Sequence, residues 1–520
     1  MVGGECITDG LRCIEKTTNR TEESVNDAAE ELEASMRKCE GHLSSTKTNS
    51  CSSCKGVNRT TEMAQEDNSP CWDSLPSVIL FEIFSYLPQE NRIRASQVCR
   101  NWRYALFHPS FWKKITFRFR EDDNMSGVRF MTNCFGLSVR EATVRCDIVN
   151  RCLKEASRLL KKLGGNTYLR KLFLEPSSCT LYWPTLRVDC TKKDRYFCTH
   201  IMESLHKIVE NSNCLEALSF GCLEDLTASA GPIMESLQRH HAKHLTHLSL
   251  ASVKDDPGDY VLSDLDSCMF RSFVRLSYLT VDYDYVSNSL LEALDSGLME
   301  RLVIHVHGYE EDHPGTTNNS WINFVGKNPH CELRLNLMHS YLAVTILDSH
   351  ILQPAMPLTH LKVLFCETVN ANAIHRLAAW YPNTLRSLVW IDCLDSAPYS
   401  PVTYDPNDID SPDPLVLLAW KCTKLVEIVF LGYKYYQENL LAIARLREGT
   451  LERLEFAEND ISSENETFWF EGPAIRNEIQ EIMGGAWNLL TDAELPTVLM
   501  DPHEGDSREV IMPMVLRDQK

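Results

Sequence analysis

Four cysteine and histidine side chains near the start of the chain have a spacing that could hold a zinc ion. They follow the pattern Cys39-x2-His42-x8-Cys51-x2-Cys54, and structural zinc sites use four thiolate or imidazole ligands at short separations of this kind. The surrounding segment has few large apolar residues to support a folded metal site. Two interpretations stay open: a zinc site, or a flexible tail that carries cysteines.

Two groups of histidines are the other metal-ligand candidates. His305 and His307 alternate on a predicted strand, so both rings share one face, and an acidic run follows them. The second group comprises His240, His241, His244 and His247. Neither spacing is tied to a known metal mechanism. The sequence therefore predicts polar helix-to-strand turns and no metal at these positions.

The chain lacks the short motifs that mark common catalytic sites. It contains no G-x-G-x-x-G, G-x-x-x-x-G-K-[ST], H-E-x-x-H or G-x-S-x-G, the patterns of dinucleotide and phosphate cradles, zinc proteases and nucleophile elbows. None of the 20 cysteines stands out as a nucleophile. We therefore expect a non-catalytic protein without a cofactor, whose function is to bind other molecules.

Composition narrows the class of partner. The chain has 520 residues, with 52 Lys and Arg against 72 Asp and Glu, a formal net charge of −20. Sequence-independent binding to nucleic acid or to an anionic membrane depends on Lys and Arg, so neither partner is expected. No apolar run suits a signal peptide or a spanning helix. We expect an intracellular protein, in the cytoplasm or the nucleus, that binds proteins.

Composition also divides the chain into segments. Residues 1–70 have few aromatic or large aliphatic side chains and predict a disordered acidic tail. Residues 71–118 are rich in apolar and basic side chains and predict a small helical domain. After Phe456 the chain carries fourteen acidic and four basic residues. We expect residues 457–520 to form an acidic cap and tail, with the tail starting near Pro502.

Between these segments, an apolar motif of the form L-x-x-L-x-L recurs. Its copies, strict or loose, begin at residues 139, 169, 215, 245, 276, 299, 330, 358, 385, 425 and 451. A further match at Leu415 looks helical. The last two leucines of the motif are two apart, so on a strand both face one side. Segments with helical periodicity lie between the copies.

A strand followed by a helix, repeated in this way, predicts units that form a core only when they stack. The spacing is at or slightly above that of leucine-rich repeats. We therefore predict an α/β leucine-rich-repeat solenoid over residues 139–456, preceded by a small all-α domain. The Pro- and Asp-rich segment 391–414 predicts an exposed loop.

The helical domain carries four motifs in order: Leu75-Pro76, the I-x-x-Y-L that begins at Ile83, the V-C-R-x-W that begins at Val98, and the P-x-F-W that ends at Trp112. These motifs resemble the F-box family over residues 72–117, and with the repeats the chain resembles F-box proteins with leucine-rich repeats. The resemblance implies docking on the Skp adaptor of a cullin-RING ubiquitin ligase. It implies that the adaptor surface is formed or supported by Leu75, Pro76, Ile79, Ile83, Leu87, Val98, Cys99, Trp102 and Trp112.

The same resemblance implies that the repeats capture a protein substrate. The side chains between the core leucines project from the opposite strand face, which predicts a concave binding surface. Its candidates are Lys171, Phe173, His247, Ser249, Tyr278, Thr280, Asp282, Arg301, Val303, His305, His360, Lys362, Val389, Glu427, Arg453 and Glu455. Their mixed charge favours a protein ligand. A scaffold or inhibitor that binds the adaptor without directing ubiquitination is the alternative function.

Overall fold

A long parallel β-sheet with helices along one side dominates the computed structural model. The structure describes residues 75–87, 89–181, 194–309, 313–393, 413–462, 472–500 and 505–519. Twelve strands form the sheet, and they lie side by side in the order in which they occur along the chain. The neighbouring strands of this sheet pair in parallel. The predicted α/β solenoid is therefore confirmed.

Three short helices precede the sheet. They are α1 (Ser77–Ser85), α2 (Gln89–Ser96) and α3 (Arg100–Leu106). Pro76 precedes α1, where the N–H that proline lacks is not needed for the helix. A 3₁₀ turn, Pro109–Trp112, then leads into the first strand.

The strands are β1 (Lys114–Phe119), β2 (Glu141–Cys146), β3 (Lys171–Pro176), β4 (Ala217–Ser219), β5 (His247–Ser249), β6 (Tyr278–Asp282), β7 (Arg301–Val306), β8 (Glu332–Met338), β9 (Leu358–Leu364), β10 (Ser387–Ile391), β11 (Glu427–Leu431), β12 (Tyr435–Tyr436), β13 (Arg453–Phe456) and β14 (Ile461–Ser462). Strands β12 and β14 form a separate two-stranded sheet.

The helices after α3 are α4 (Ser126–Phe135), α5 (Asn150–Leu163), α6 (Asp194–Asn211), α7 (Glu224–Thr227), α8 (Gly231–His241), α9 (Asn288–Ala293), α10 (Asn318–Lys327), α11 (Tyr341–Thr345), α12 (Ala371–Trp380), α13 (Pro414–Lys421), α14 (Gln437–Leu446), α15 (Gly472–Met483), α16 (Thr497–Met500) and α17 (Met512–Asp518). Within the described residues, no helix is long and apolar enough to cross a membrane.

The L-x-x-L-x-L copies mark the strands closely. A strand begins two residues after the start of each copy, except that β9 begins at Leu358 itself. The leucines lie in the main core between sheet and helices; Leu172, Leu218 and Leu388 are examples, each with at most 1% of its surface exposed. The Leu415 match is helical, in α13, as expected. Most of the expected 391–414 loop lies outside the described residues.

The solenoid begins earlier than the sequence pattern indicates. Strand β1 pairs with β2 over six residues, from Lys114↔Glu141 to Phe119↔Cys146. The expected boundary at residue 118 therefore cuts through the first strand of the sheet. This strand lacks the leucine motif because Ile115, Phe117 and Phe119 supply its buried side.

The end of the chain also differs from the expected solvated tail. Val510, Ile511 and Val515 are buried, in a second apolar cluster with Val389 and Val429. Those two valines point away from the main core, on the face opposite the helices. Apolar side chains that recur along this segment explain why it packs on the sheet instead of remaining in solvent. The zinc candidates Cys39, His42, Cys51 and Cys54 lie outside the described residues.

Candidate protein-binding surfaces

The three N-terminal helices expose a group of large apolar side chains to solvent. Their exposed fractions are 72% for Val78, 47% for Ile79, 77% for Tyr86, 66% for Val98 and 78% for Tyr104. We call these five residues the helical patch. Large apolar groups exposed on a small helical unit make these five residues a candidate protein-interaction site.

Buried aromatic residues and polar contacts fix the helices beneath the patch. Phe84 is fully buried, and the Trp102 ring meets it edge to face with centroids 5.8 Å apart. Asn101 Nδ2 donates to the carbonyl of Leu75 at 2.8 Å, which ties α3 to the start of α1. Arg92 Nε donates to the carbonyl of Phe84 at 2.7 Å. The patch is therefore presented on a fixed scaffold.

The nine residues that the resemblance assigns to the adaptor surface differ in exposure. Ile79, Val98 and Pro76 are exposed; Leu75, Ile83, Leu87, Cys99 and Trp102 are half-buried; Trp112 is buried. The structure adds Val78, Tyr86 and Tyr104 to the exposed set. The signal for Val78 is in the sequence, because α1 is apolar on nearly all sides and one side must face outward.

Trp112 lies where the helical unit meets the solenoid. Its ring stacks on Phe135 of α4, with centroids 4.8 Å apart and planes 22° apart. Its Nε1 donates to the carbonyl of Leu106 at 2.8 Å. Phe107 also stacks on Phe135, at 6.4 Å. Trp112 therefore joins the two parts of the chain and does not itself form an exposed surface.

The side of the sheet opposite the helices carries the predicted concave residues in cross-strand rows. One row places Lys171, Ala217, His247, Tyr278 and Arg301 side by side on β3 to β7. A second row places Asp282, His305, Asn336, Lys362 and Val389 on β6 to β10. Neighbouring side chains in such rows are close enough to interact.

In the first row, three side chains form a stack. The His247 and Tyr278 rings are parallel to within 7°, with centroids 4.1 Å apart, and the Arg301 guanidinium lies 5.2 Å from the Tyr278 centroid. Burial and then the nearby Lys171 ammonium lower the pKa of His247 to about 4. A neutral imidazole therefore lies here at pH 7. Tyr278 also donates to Glu300 Oε2 at 2.9 Å.

Asp282 is the centre of a buried polar network. Its carboxylate accepts from Ser252 N and Ser252 Oγ, each at 3.0 Å, and lies 3.1 Å from Lys254 Nζ. The His305 and His307 rings both lie within hydrogen-bond distance of the Ser252 carbonyl, at 3.0 and 2.9 Å. Burial raises the pKa of Asp282, but Lys254 and the histidines lower it by more, so the carboxylate is ionised.

Asp282, His305 and His307 bring possible metal-ligand atoms within 4.8 Å of one another. The Lys254 ammonium already neutralises the carboxylate, and both rings are engaged with the same backbone carbonyl. We therefore interpret the network as structural, with Ser252 held against β6 and β7. His305 lies on strand β7 and His307 directly after it, in agreement with the predicted strand, and both side chains are buried. Glu310, Glu311 and Asp312 lie outside the described residues.

The other histidine group does not converge. His241 is buried on α8 with Nε2 2.7 Å from the Val209 carbonyl, whereas His247 lies on β5 facing the opposite side of the sheet. Hydrogen bonding to the backbone accounts for His241 without a metal.

The chain's own C-terminal segment covers the middle of the concave side. Asp518 accepts from Arg334 Nη1 at 2.7 Å and Asn336 Nδ2 at 3.1 Å, and it forms an ion pair with Lys362. Gln519 Oε1 accepts from Ser219 Oγ at 2.6 Å. Lys362 is therefore buried rather than solvated, with an exposed fraction of 9%. His305 is also buried, with an exposed fraction of 0%.

The two ends of the concave side keep accessible side chains. Near the helical unit, Lys114 and Arg145 are exposed, and Lys171 and Phe173 are half-buried. At the far end, Arg453 donates to Glu427 Oε1 at 2.6 Å and to Glu455 Oε2 at 2.7 Å. His360 lies half-buried between these regions, and burial together with Arg334 lowers its pKa to about 4.

The chain is similar to known proteins in both of its parts. An F-box-like family model matches residues 72–118. Human F-box only protein 33 is 25% identical over 496 residues, which cover 84% of this chain and 86% of that protein. Mouse F-box/LRR-repeat protein 21 is 23% identical over 61% of this chain and 70% of its own length. A chain in the crystal structure of the Rad7 and Elc1 complex in yeast superposes with a TM-score of 0.36 at 13% identity, covering 88% of this chain and 94% of its own length.

Proposed function

This chain carries an F-box-like domain and a repeat solenoid and is homologous to F-box proteins, and from this we propose that it is the substrate-recognition subunit of a Skp–cullin–F-box ubiquitin ligase. The F-box helices dock on a Skp-family adaptor, which links them to the cullin and RING subunits. The solenoid captures a protein substrate for ubiquitination and degradation. The chain itself supplies no catalytic group, and it acts in the cytoplasm or the nucleus.

The helical patch is the observation that carries this proposal. Val78, Ile79, Tyr86, Val98 and Tyr104 are large apolar or aromatic groups exposed on a unit of only three short helices. Burying aromatic and aliphatic side chains of this size at an interface supplies much of the free energy of binding. An adaptor surface that covers the patch removes it from water.

The proposed mechanism depends on the attachment of the F-box helices to the solenoid. Stacking of Trp112 on Phe135 and of Phe107 on Phe135 fixes the helices against the start of the solenoid. A substrate on the concave side is then held at a set distance from the adaptor and from the ubiquitin-charged enzyme that the ligase recruits. Holding two reactants together makes the transfer effectively intramolecular and raises its rate.

Co-purification with a Skp-family adaptor tests docking. We expect Val98→Asp to reduce adaptor binding by about 100-fold, because a carboxylate must be desolvated at an apolar interface. Val274→Asp is the matched control, since Val274 is exposed to 53% on the solenoid. Adaptor binding that survives Val98→Asp together with Tyr104→Asp contradicts the assignment.

A ubiquitination assay separates the ligase role from the scaffold alternative. The reconstituted ligase with the parent chain should ubiquitinate a captured partner, and the Val98→Asp chain should capture that partner without modifying it. Equal capture and no ubiquitination with either chain supports a scaffold or inhibitor instead.

A further inference from the structure

Residues 505–519 occupy the middle of the concave side more extensively than an end cap requires. The last strands are already covered by Leu495, Val498 and Leu499, which are buried in the same apolar cluster as Val429 and Leu431. The final segment instead runs back to β4, where Gln519 meets Ser219, a residue 300 positions earlier in the chain. Closing the open end of a solenoid does not explain this return.

The contact resembles the binding of a peptide in a groove. We call the surface of β8 to β11 that residues 505–519 cover the groove. A π-helical turn, Ser507–Ile511, leads into α17. Val510, Ile511, Met512 and Val515 are at most 4% exposed, and they share an apolar cluster with side chains of β8 to β11. An amphipathic helix that lays its apolar face into a groove is a common mode of protein recognition.

A carboxylate anchors the end of the segment. Asp518 is 3% exposed and is held by Arg334 at 2.7 Å, Asn336 at 3.1 Å and Lys362. Arg301 Nη1 donates to the Asp518 backbone carbonyl at 3.5 Å. Burial raises the pKa of the Asp518 carboxyl, but Lys362 and Arg334 lower it by more. The pocket therefore holds an ionised carboxylate.

Ion pairs of this kind favour specificity over stability. A buried ion pair is often no more stabilising than apolar side chains of the same size, because both charges lose their hydration. Leaving the Arg334 and Lys362 cations buried without a counter-charge is unfavourable, however. When Asp518 leaves the groove, a ligand that places a carboxylate at the same position therefore binds more tightly than one that does not.

We propose, on the basis of the proposed function, that residues 505–519 are an autoinhibitory occupant of the substrate groove. The substrate presents an amphipathic helix with an acidic side chain near its C-terminal end and displaces this segment. Its apolar side chains replace Val510, Ile511 and Val515, and its carboxylate pairs with Arg334 and Lys362. The ligand is a helical segment of a protein, matched to the groove by apolar surface and by charge.

Exchange of the segment can be measured in the full-length chain. The probe is a fluorescently labelled peptide of residues 505–519, GDSREVIMPMVLRDQ. The Asp518→Lys chain places an ammonium against Arg334 and Lys362, so its own segment is repelled and the groove opens. We expect this chain to bind the probe about ten-fold or more tightly than the parent, because the binding-competent fraction rises.

Two controls test whether charge at position 518 is responsible. Arg517→Glu reverses the charge of the exposed neighbouring residue, and this chain should bind the probe as weakly as the parent. A probe with Asp518→Asn should bind the opened chain about ten-fold more weakly, since it returns no charge to the cations. Equal binding of the probe by parent and Asp518→Lys chains, or of both probes by the opened chain, overturns the proposal.

Hydrogen exchange provides a second measurement if the lysine variant folds poorly. In the milder Asp518→Asn chain, amides of residues 510–519 should exchange several-fold faster, while those of β8 and β9 stay protected. Unchanged exchange in this segment overturns the proposal. The adaptor assay is independent of these measurements. Loss of adaptor binding together with the expected probe binding contradicts the ligase role but supports the autoinhibitory segment. Adaptor binding without the expected probe binding contradicts the autoinhibitory segment but supports the ligase role.

Discussion

The Trp112 ring stacks on the Phe135 ring with centroids 4.8 Å apart, which joins the end of the F-box helices to the first helix of the solenoid. Trp112 is 4% exposed, and its Nε1 donates to the Leu106 carbonyl at 2.8 Å. Each part of the chain thus contributes one ring to a shared core. Under the proposed function, the relative position of adaptor and substrate depends on this contact.

Replacing Trp112 should therefore affect stability before it affects adaptor contacts. We expect Trp112→Ala to lower the free energy of unfolding by about 3–5 kcal/mol, the usual cost of removing a buried tryptophan. Urea denaturation followed by circular dichroism measures this. Trp420→Ala removes a ring that is 57% exposed and should cost no more than about 1 kcal/mol. Similar losses in both variants contradict the role of Trp112 as a joint.

The buried pair of Asp282 and Lys254 gives a second stability prediction. Both side chains are 1% exposed, and Lys254 Nζ lies 3.1 Å from Asp282 Oδ2. Asp282→Asn leaves the ammonium buried without its counter-charge, so we expect a loss of about 3–5 kcal/mol in the free energy of unfolding. Adding Lys254→Met should restore part of that loss. Additive effects of the two substitutions in a double-mutant cycle contradict the pairing.

Buried His305 predicts a pH dependence of stability. Burial lowers its pKa to about 4, although Asp282 acts in the opposite direction. Between about pH 4 and 6.5 the unfolded chain binds a proton that the folded chain does not, so this residue makes stability fall as pH falls through that window. The slope is at most about 1.4 kcal/mol per pH unit. Carboxylates with lowered pKa values, such as Asp282, affect the free energy of unfolding at lower pH.

Comparison of variants isolates this contribution. Burial raises the pKa of Asp460 to about 6, and that group gives a slope of the opposite sign. The quantity to measure is therefore the difference between His305→Gln and the parent in the free energy of unfolding at pH 7 and pH 5. We expect the variant to show a shallower loss toward pH 5. His330→Gln, at an exposed position, is the control. Identical slopes in all three chains contradict the prediction.

The sequence predicts the repeat fold well because its signal is local. A leucine pair two residues apart must face one side of a strand, and Leu172 and Leu174 on β3 do so, with Lys171 and Phe173 on the other side. Strand β1 escapes the pattern because isoleucine and phenylalanine provide its buried side. Local periodicity thus identifies the strands that use the common residue type and misses the one that does not.

The candidate sites are harder to predict from the sequence, because they depend on contacts between residues that are far apart along the chain. Trp112 matches the P-x-F-W motif, yet only the position of Phe135 shows that it is buried. Lys362 projects to the concave side as its strand position indicates, but Asp518, 156 residues later, covers it. Apolar residues such as Ile511 and Val515 in the final segment are the available signal. Their binding place, however, is set by tertiary packing.

Besides the groove that residues 505–519 cover, the end of the solenoid nearest the F-box offers accessible side chains for additional substrate contacts. Lys171 and Phe173 are half-buried on β3, beside Glu141 and Thr143 of β2. Lysine and phenylalanine side chains at a protein interface contribute through charge complementarity and apolar burial. We expect Lys171→Glu with Phe173→Ala to weaken substrate capture by about ten-fold or more.

Quantitative affinity capture measures this for all bound proteins together, so the substrate need not be identified first. Under the proposed function, the Val98→Asp chain binds substrate without passing it to the ligase, so the proteins that accumulate on it define the reference set. Adding Lys171→Glu and Phe173→Ala should deplete that set. Adding Tyr168→Ala, which removes an exposed side chain just before β3, should leave it unchanged. A reference set unaffected by the β3 changes contradicts recognition at this end, because those residues are then not in contact with the captured proteins.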